Sequence, residues 1–341
     1  MATTRHTILF WLLFSGTVLL FVADISLGSV TIPVREVFKS LFGSSSKETW
    51  DYIIVNYRLP KAITAVLVGF GLSISGLLMQ TLFRNPLAGP YVLGLSSGSS
   101  LGVALVILGS AVMPGIVGHF MVSSYGIILA SCLGSLLVLV AVLLVSKRLR
   151  DTSAILIVGL MFGSFTNAFV GVLAYFSTAE QLQKFTFWSL GNLGNLSWTS
   201  VSILSVSVLI GLLLSIATIK PLDALLLGEN YAKSLGIRYQ RTQRIIIVAT
   251  SILAGSITAF AGPIAFIGLA VPHMAKLAFQ TSNHRVLFVA TLFFGAMVML
   301  FCDIVSQVPG TDLTLPINAI TSIIGAPVVI WLLLRKQRFN A

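Results

Sequence analysis

An all-helical, polytopic membrane protein of about ten spans is the fold class this sequence predicts, and three observations predict it. Only 9% of the 341 residues are charged, against about 25% in soluble domains, while 56% are hydrophobic. Apolar stretches of about 18 residues or more, nearly free of charge, recur along almost the whole chain, and each is long enough to cross a hydrocarbon core of about 30 Å. The basic residues sit in short groups between those stretches and divide unevenly between two sides. A soluble protein of this length needs charge to coat its surface, and this chain has too little.

The spans run approximately over 7–29, 59–82, 91–113, 122–146, 153–175, 199–219, 245–262, 264–280, 286–306 and 314–334, so 1–341 reads as a single transmembrane domain. No small-x-small cleavage site follows the first apolar run, from Ile8 to Ala23, which makes it a retained helix and not a signal peptide. The segment 30–58 carries Pro33, a polar stretch from Gly43 to Lys47, then Trp50 and Tyr52. The second span opens on Arg58-Leu59-Pro60-Lys61, with proline in the first helical turn, where its missing N–H costs nothing. Its two cations serve either as snorkelling anchors or as contacts for a partner. At the other end, Phe83-Arg84-Asn85-Pro86-Leu87-Ala88 is a polar break between apolar helices. The segment 176–198 is punctuated by Gly191-Asn192-Leu193-Gly194, and 220–244 is the most polar and basic connection. Asp303, near the end of the ninth span, reads as an interior polar anchor or as a group for substrate or protons.

Orientation follows from the excess of cations. With the N-terminus inside, 15 of the 21 Lys and Arg residues face the cytoplasm and six (Arg35, Lys39, Lys47, Arg58, Lys61, Lys184) face out. The reverse would invert that bias, so both termini are placed in the cytoplasm. A faint internal echo runs across the chain: Ala88-Gly89-Pro90 leads to Gly94-Leu95, and Ala261-Gly262-Pro263 leads to Gly268-Leu269. The copies lie five spans apart, an odd number, as an inverted repeat requires.

Several function classes are excluded or weakened. No Gly-rich loop followed by Lys-Ser or Lys-Thr is present, so the chain has no P-loop nucleotide site. The four histidines (His6, His119, His273, His284) show no paired metal spacing and no Ser/His/Asp cluster, so neither a metal site nor a catalytic residue is expected. Cys132 and Cys302 lie inside apolar runs and imply no disulfide framework. The net charge of +11 is scattered, not gathered on one face, and argues for topology and against nucleic acid.

Within 220–244, Gly228 can start a short helix, Glu229 favours its positive N-terminal end and Gly236 can stop it. Tyr231, Leu235 and Ile237 oppose Lys233 and Ser234. A short amphipathic helix exposed to cytosol is either a docking element or a capped turn between two spans.

At this point the residues resemble a known family. Arg58-Leu59-Pro60-Lys61, Leu82-Phe83-Arg84-Asn85-Pro86-Leu87-Ala88, Gly94-Leu95-Ser96-Ser97-Gly98, Gly228-Glu229 with Ser234-Leu235-Gly236-Ile237, Ile264-Ala265-Phe266-Ile267-Gly268-Leu269 with Pro272-His273, and Gly325-Ala326-Pro327 are similar in order and spacing to the FecCD family, the permease subunits of ABC importers for iron-siderophores, haem and vitamin B12. The resemblance runs from about residue 10 to 336, practically the whole chain. It implies the type II ABC importer architecture in the bacterial cytoplasmic membrane, surrounded by membrane lipid. It also implies a second permease copy in a homodimer around a central path, two separate ATPase subunits that hold ATP and magnesium, and a soluble or lipid-anchored substrate-binding protein outside. No cofactor is expected in this chain. By match to the family's motifs, Gly228, Glu229, Tyr231, Ala232, Lys233, Leu235 and Gly236 would form the element seated on the ATPase. Asn85, Leu87, Thr152 and Ser153 would fall at the cytoplasmic gate, and Arg58 and Lys61 would receive acidic residues of the binding protein. Some members carry an arginine just after the Asp-Ile-Val stretch, where Gln307 stands here, which argues against close kinship with the vitamin B12 permeases. The cargo expected from the family's majority use is an iron-siderophore or related chelate, with haem or vitamin B12 as alternatives. A secondary transporter working alone and an intramembrane enzyme are the rival classes.

Overall fold

The computed structural model describes residues 2–41, 47–109, 123–148, 152–194, 196–311 and 313–338, and among them only helices and connections occur. In chain order the helices are α1 (Ala2–Ser26), α2 (Val34–Leu41), α3 (Glu48–Ile53), a π turn (Ile54–Arg58), α4 (Leu59–Leu82), a 3-10 turn (Pro90–Leu93), α5 (Leu95–Ile107), α6 (Ser124–Arg148), α7 (Thr152–Tyr175), α8 (Ala179–Ser189), α9 (Trp198–Ile216), α10 (Ile219–Leu226), α11 (Glu229–Ser234), α12 (Tyr239–Ala261), α13 (Ile267–Phe279), α14 (His284–Ser306) and α15 (Ile317–Arg338). Among the described residues, seven helical runs are long and apolar enough to cross a membrane, and α5, α13 and α15 are shorter apolar helices. The protein is an all-α polytopic membrane protein. Part of the expected third span, 91–113, extends beyond the described residues.

Two compact units make up the chain: Met1–Leu77 with Asn192–Val206 and Ile264–Ala341, and Leu78–Gly191 with Ser207–Pro263. The elements α3, the π turn and α4 form one helical run from Glu48 to Leu82, with 78% of its apolar 18-residue stretch buried, against 17% for α1. That contrast makes α4 an interior helix and α1 a peripheral one. The run starts earlier than the apolar pattern predicts because Trp50, Ile53 and Ile54 pack on Ile25, Ile32 and Val37, a tertiary contact that hydropathy along the chain does not register.

Close approach in the first unit depends on small residues spaced to share one face of α4. Gly69 backs onto the Gly295–Ala296 backbone of α14, and Gly76 backs onto Gly268 of α13. Between them the Ser73 hydroxyl donates to the Thr291 carbonyl at 3.1 Å. A Cβ at position 76 would collide with the Gly268 carbonyl, which is backbone and cannot swing aside. Gly76→Ala is therefore expected to destabilise the protein by about 1–3 kcal/mol, as overpacking does. The check is heat-resistant monodispersity in detergent; an unchanged midpoint would mean that α4 and α13 can separate without cost.

The second unit repeats the device. Gly98 and Gly102 of α5 face Gly134 and Ala130 of α6, and the Ser99 and Ser135 hydroxyls bond to each other across the same seam. Helix α12 meets the same seam at Gly255, which lies beside Ser135. Both copies of the Gly-Pro echo interrupt the helical path and lead into 13-residue apolar helices, α5 and α13. Gly262 holds φ +76°, and a side chain there would meet the Trp188 carbonyl at 2.7 Å, so glycine is required on both counts.

Candidate coupling site and gate

On the inner side, α10 buries Leu222 and Leu225 three residues apart, and the chain then reverses at Gly228. Its φ of +120° is closed to other residues, and a Cβ would lie 3.1 Å from the Arg84 Nη2. The short helix expected after it is present as α11. It ends in a Schellman arrangement, with the Ile237 N–H donating to the Ala232 carbonyl at 3.1 Å and the Gly236 N–H to the Lys233 carbonyl at 3.0 Å, while Gly236 takes φ +80°. Glu229 and Lys233 pair across one turn at 2.6 Å. With both side chains largely in solvent, the pair is worth about 0.3–0.5 kcal/mol.

The helix does not present all the residues expected of it. Ala232 is fully buried and packs with Ala224, Leu225 and Tyr239, with Ile237 alongside. Ala232, expected in the element seated on the ATPase, turns its side chain to this chain's own interior. The outward apolar residues are instead Leu227, Tyr231 and Leu235, at 65%, 50% and 59% exposure.

Arg84 ends the break after α4 in the left-handed region, φ 48°. Its Nε and Nη2 both donate to the Leu225 carbonyl, at 3.2 and 2.9 Å. The next residue closes a turn of its own: the Leu87 N–H donates to Asn85 Oδ1 at 2.9 Å and the Ala88 N–H to the Asn85 carbonyl at 3.0 Å. Leu87 is half exposed. Thr152 and Ser153 open α7, and their side chains lie outside the described residues.

On the outer side the two cations do not stand free. The buried Arg58 donates through Nη1 to the Ile25 and Ser26 carbonyls at 2.7 and 2.9 Å, and through Nη2 to the Val30 carbonyl. It thereby caps the C-terminal carbonyls of α1, the negative end of that helix. The Lys61 ammonium pairs with Asp303 at 3.0 Å, with only a fifth of its side chain exposed. Gln307 donates to Asp24 at 2.9 Å and to Asp303 at 3.3 Å, and Ser306 donates to Asp303 at 3.2 Å. The expectation of two surface cations waiting for an acidic partner is corrected: burial and internal partners occupy both. Asp303 holds the place of an interior polar anchor.

Residues 16–335 match the FecCD transport family. The chain belongs to the FecCD transport family. Among its relatives, the hemin transport system permease protein HmuU of Yersinia pestis is 32% identical over 94% of this chain and 95% of that protein. The vitamin B12 import system permease protein BtuC of Klebsiella pneumoniae is 36% identical over 82% of each chain. A solved inward-facing conformation of a metal-chelate type ABC transporter superposes with a TM-score of 0.84 at 28% identity, covering 96% of this chain and 99% of that one. As a FecCD member the chain is a multi-pass permease of the cytoplasmic membrane. Its Gln307 does not set it apart from the vitamin B12 permeases, whose identity to it is no lower than that of the hemin permease.

Within this FecCD fold, sequence reasoning missed Asp24, which the structure buries beside Gln307. The available signal was a lone carboxylate inside an otherwise uncharged first span. Also missed was α8, an amphipathic outer helix started by a Thr178–Gln181 capping box. Its Glu180 pairs with Lys184 at 2.8 Å, and that cation holds the Glu180 carboxyl below the usual range.

Proposed function

We propose that this chain is the translocating subunit of an ABC importer that carries an iron-siderophore or related iron chelate inward, powered by ATPase subunits seated on α10 and α11. The observation that carries the reading is the likeness to the metal-chelate type transporter, over 96% of this chain and 99% of that one. Three supports come from the chain itself. It lacks a phosphate loop, so the energy source must be a partner. Its inner segment displays Leu227, Tyr231 and Leu235 to the cytosol. Its gate turn, Asn85 to Leu87, lies one hydrogen bond from that segment. A bulky chelate suits a path between two copies of the permease better than a pore within one. Outside, the binding protein docks on the exposed face of α8, which presents Glu180, Lys184 and Phe187, in place of the buried Arg58. Haem is the second reading, favoured by the match to the hemin permease along nearly the whole chain, and vitamin B12 the third.

Uptake of labelled ferric siderophore, haem and cobalamin by cells with and without this chain decides among them. The expected result is loss of ferric-siderophore uptake alone, restored by the gene in trans. Loss of haem or cobalamin uptake with siderophore uptake intact would assign the cargo to that ligand. Normal uptake of all three would remove the metal-chelate reading.

A further inference from the structure

We infer that Arg84 is a positioning residue that ties the gate turn to the coupling segment, so that the two move as one body during the transport cycle; this rests on the coupling role proposed above for α10 and α11. Arg84 and Leu225 are 141 positions apart in the chain, yet two guanidinium nitrogens converge on the single Leu225 carbonyl. That carbonyl belongs to the last turn of α10, the negative end of the helix, where a cation is favoured. Leu225 is not free to shift on its own, because its side chain is packed with Ala232 of α11 and Tyr239 of α12. The guanidinium therefore holds a rigid cluster.

On the other side of the same residue, the peptide after Arg84 enters the Asn85–Leu87 turn directly. A non-glycine residue at φ 48° is uncommon and persists where surrounding contacts impose it. Here it closes the C-terminal end of α4, where the Phe83 N–H donates to the Met79 carbonyl at 3.0 Å and the Arg84 N–H to the Thr81 carbonyl at 3.3 Å. Gly228 completes the arrangement, since any Cβ at that corner would press on Nη2. A displacement of α10 and α11 is thus delivered to the gate turn through one side chain, without a path through the membrane helices.

The test uses the permease in nanodiscs with its ATPase and binding protein, and ferric siderophore, haem and cobalamin as probes in turn. Arg84→Met keeps the stem and removes the donors; Arg84→Lys restores one. With the tie lost, stimulated ATP hydrolysis is expected to continue while import per ATP falls about tenfold, with Arg84→Lys intermediate, as for removal of a charge-assisted hydrogen bond. Nitroxides at Leu87 and Leu227, both exposed, in a Cys132→Ala, Cys302→Ala background, should keep one separation with and without trapped ATP. That separation should change with nucleotide in Arg84→Met. Normal import per ATP in Arg84→Met, while Leu235→Asp is uncoupled, overturns the tie and leaves the coupling segment standing. If both variants are normal, the coupling reading falls as well. Should Arg84→Met fail to assemble, the spin labels on Arg84-containing protein decide: a nucleotide-driven change larger than a helical turn, about 5 Å, overturns the proposal.

Discussion

Lys61→Met is expected to destabilise the protein by about 3–5 kcal/mol, the cost of breaking a buried ion pair by removing one partner. Asp303 is 1% exposed and its sole cationic partner within salt-bridge distance among the described residues is Lys61. Without the ammonium, Asp303 is left to Ser306, Gln307 and the neighbouring side chain of Asp24, and Gln307 is shared with that same Asp24. The pair as a whole contributes far less than either partner's removal costs, because taking both charges out of water is itself unfavourable. Adding Asp303→Asn to Lys61→Met should therefore recover most of the loss. Thermal survival of the folded peak in detergent measures both. A single variant as stable as the parent would show that Asp303 is neutral or solvated, and a double variant no better than the single would assign the loss to Lys61 packing.

Leu235→Asp combined with Tyr231→Ala is expected to abolish import while leaving the membrane fold intact. Both side chains are about half exposed or more and neither contributes to the Ala232 cluster, so their removal leaves this chain's packing alone. Anchor residues at protein interfaces are worth about 2 kcal/mol or more each, and a new charge at the centre of an apolar contact adds desolvation. Loss of ATPase co-purification, or hydrolysis uncoupled from uptake, is the expected readout. Unchanged co-purification and uptake would make α11 an ordinary capped turn. Ala232→Trp, by contrast, would test the wrong face. It overfills a cluster formed with Leu225 and Tyr239 and disturbs the segment before any partner is met.

The spanning helices were legible because a long apolar run in a charge-poor chain has one common solution in lipid. The helices α2, α3, α8 and α10 were not, because each is short and amphipathic and gives no signal in a window tuned to membrane thickness. At the coupling segment, Gly228 and Gly236 marked both ends of α11, since backbone conformation is written in glycine itself. Which way Ala232 points was not written there: six residues make less than two turns, and the face is set by Tyr239 and Leu225 from other helices. The same holds for Arg58 and Lys61. A sequence shows a cation at a membrane surface, but the carbonyls of Ile25 and Ser26 and the carboxylate of Asp303 come from distant positions.

The two 13-residue helices α5 and α13 rise about 20 Å each, which is about 10 Å short of a bilayer's hydrocarbon thickness. Backbone without helical bonds is tolerated at that depth only when protein seals it or water reaches it. Ahead of α13 one such group is sealed, by the Asn318 side chain accepting from the Ala265 N–H at 3.0 Å. Asn318 belongs to α15, so the start of the broken helix α13 is tied to its neighbour by a polar bond as well as by apolar packing.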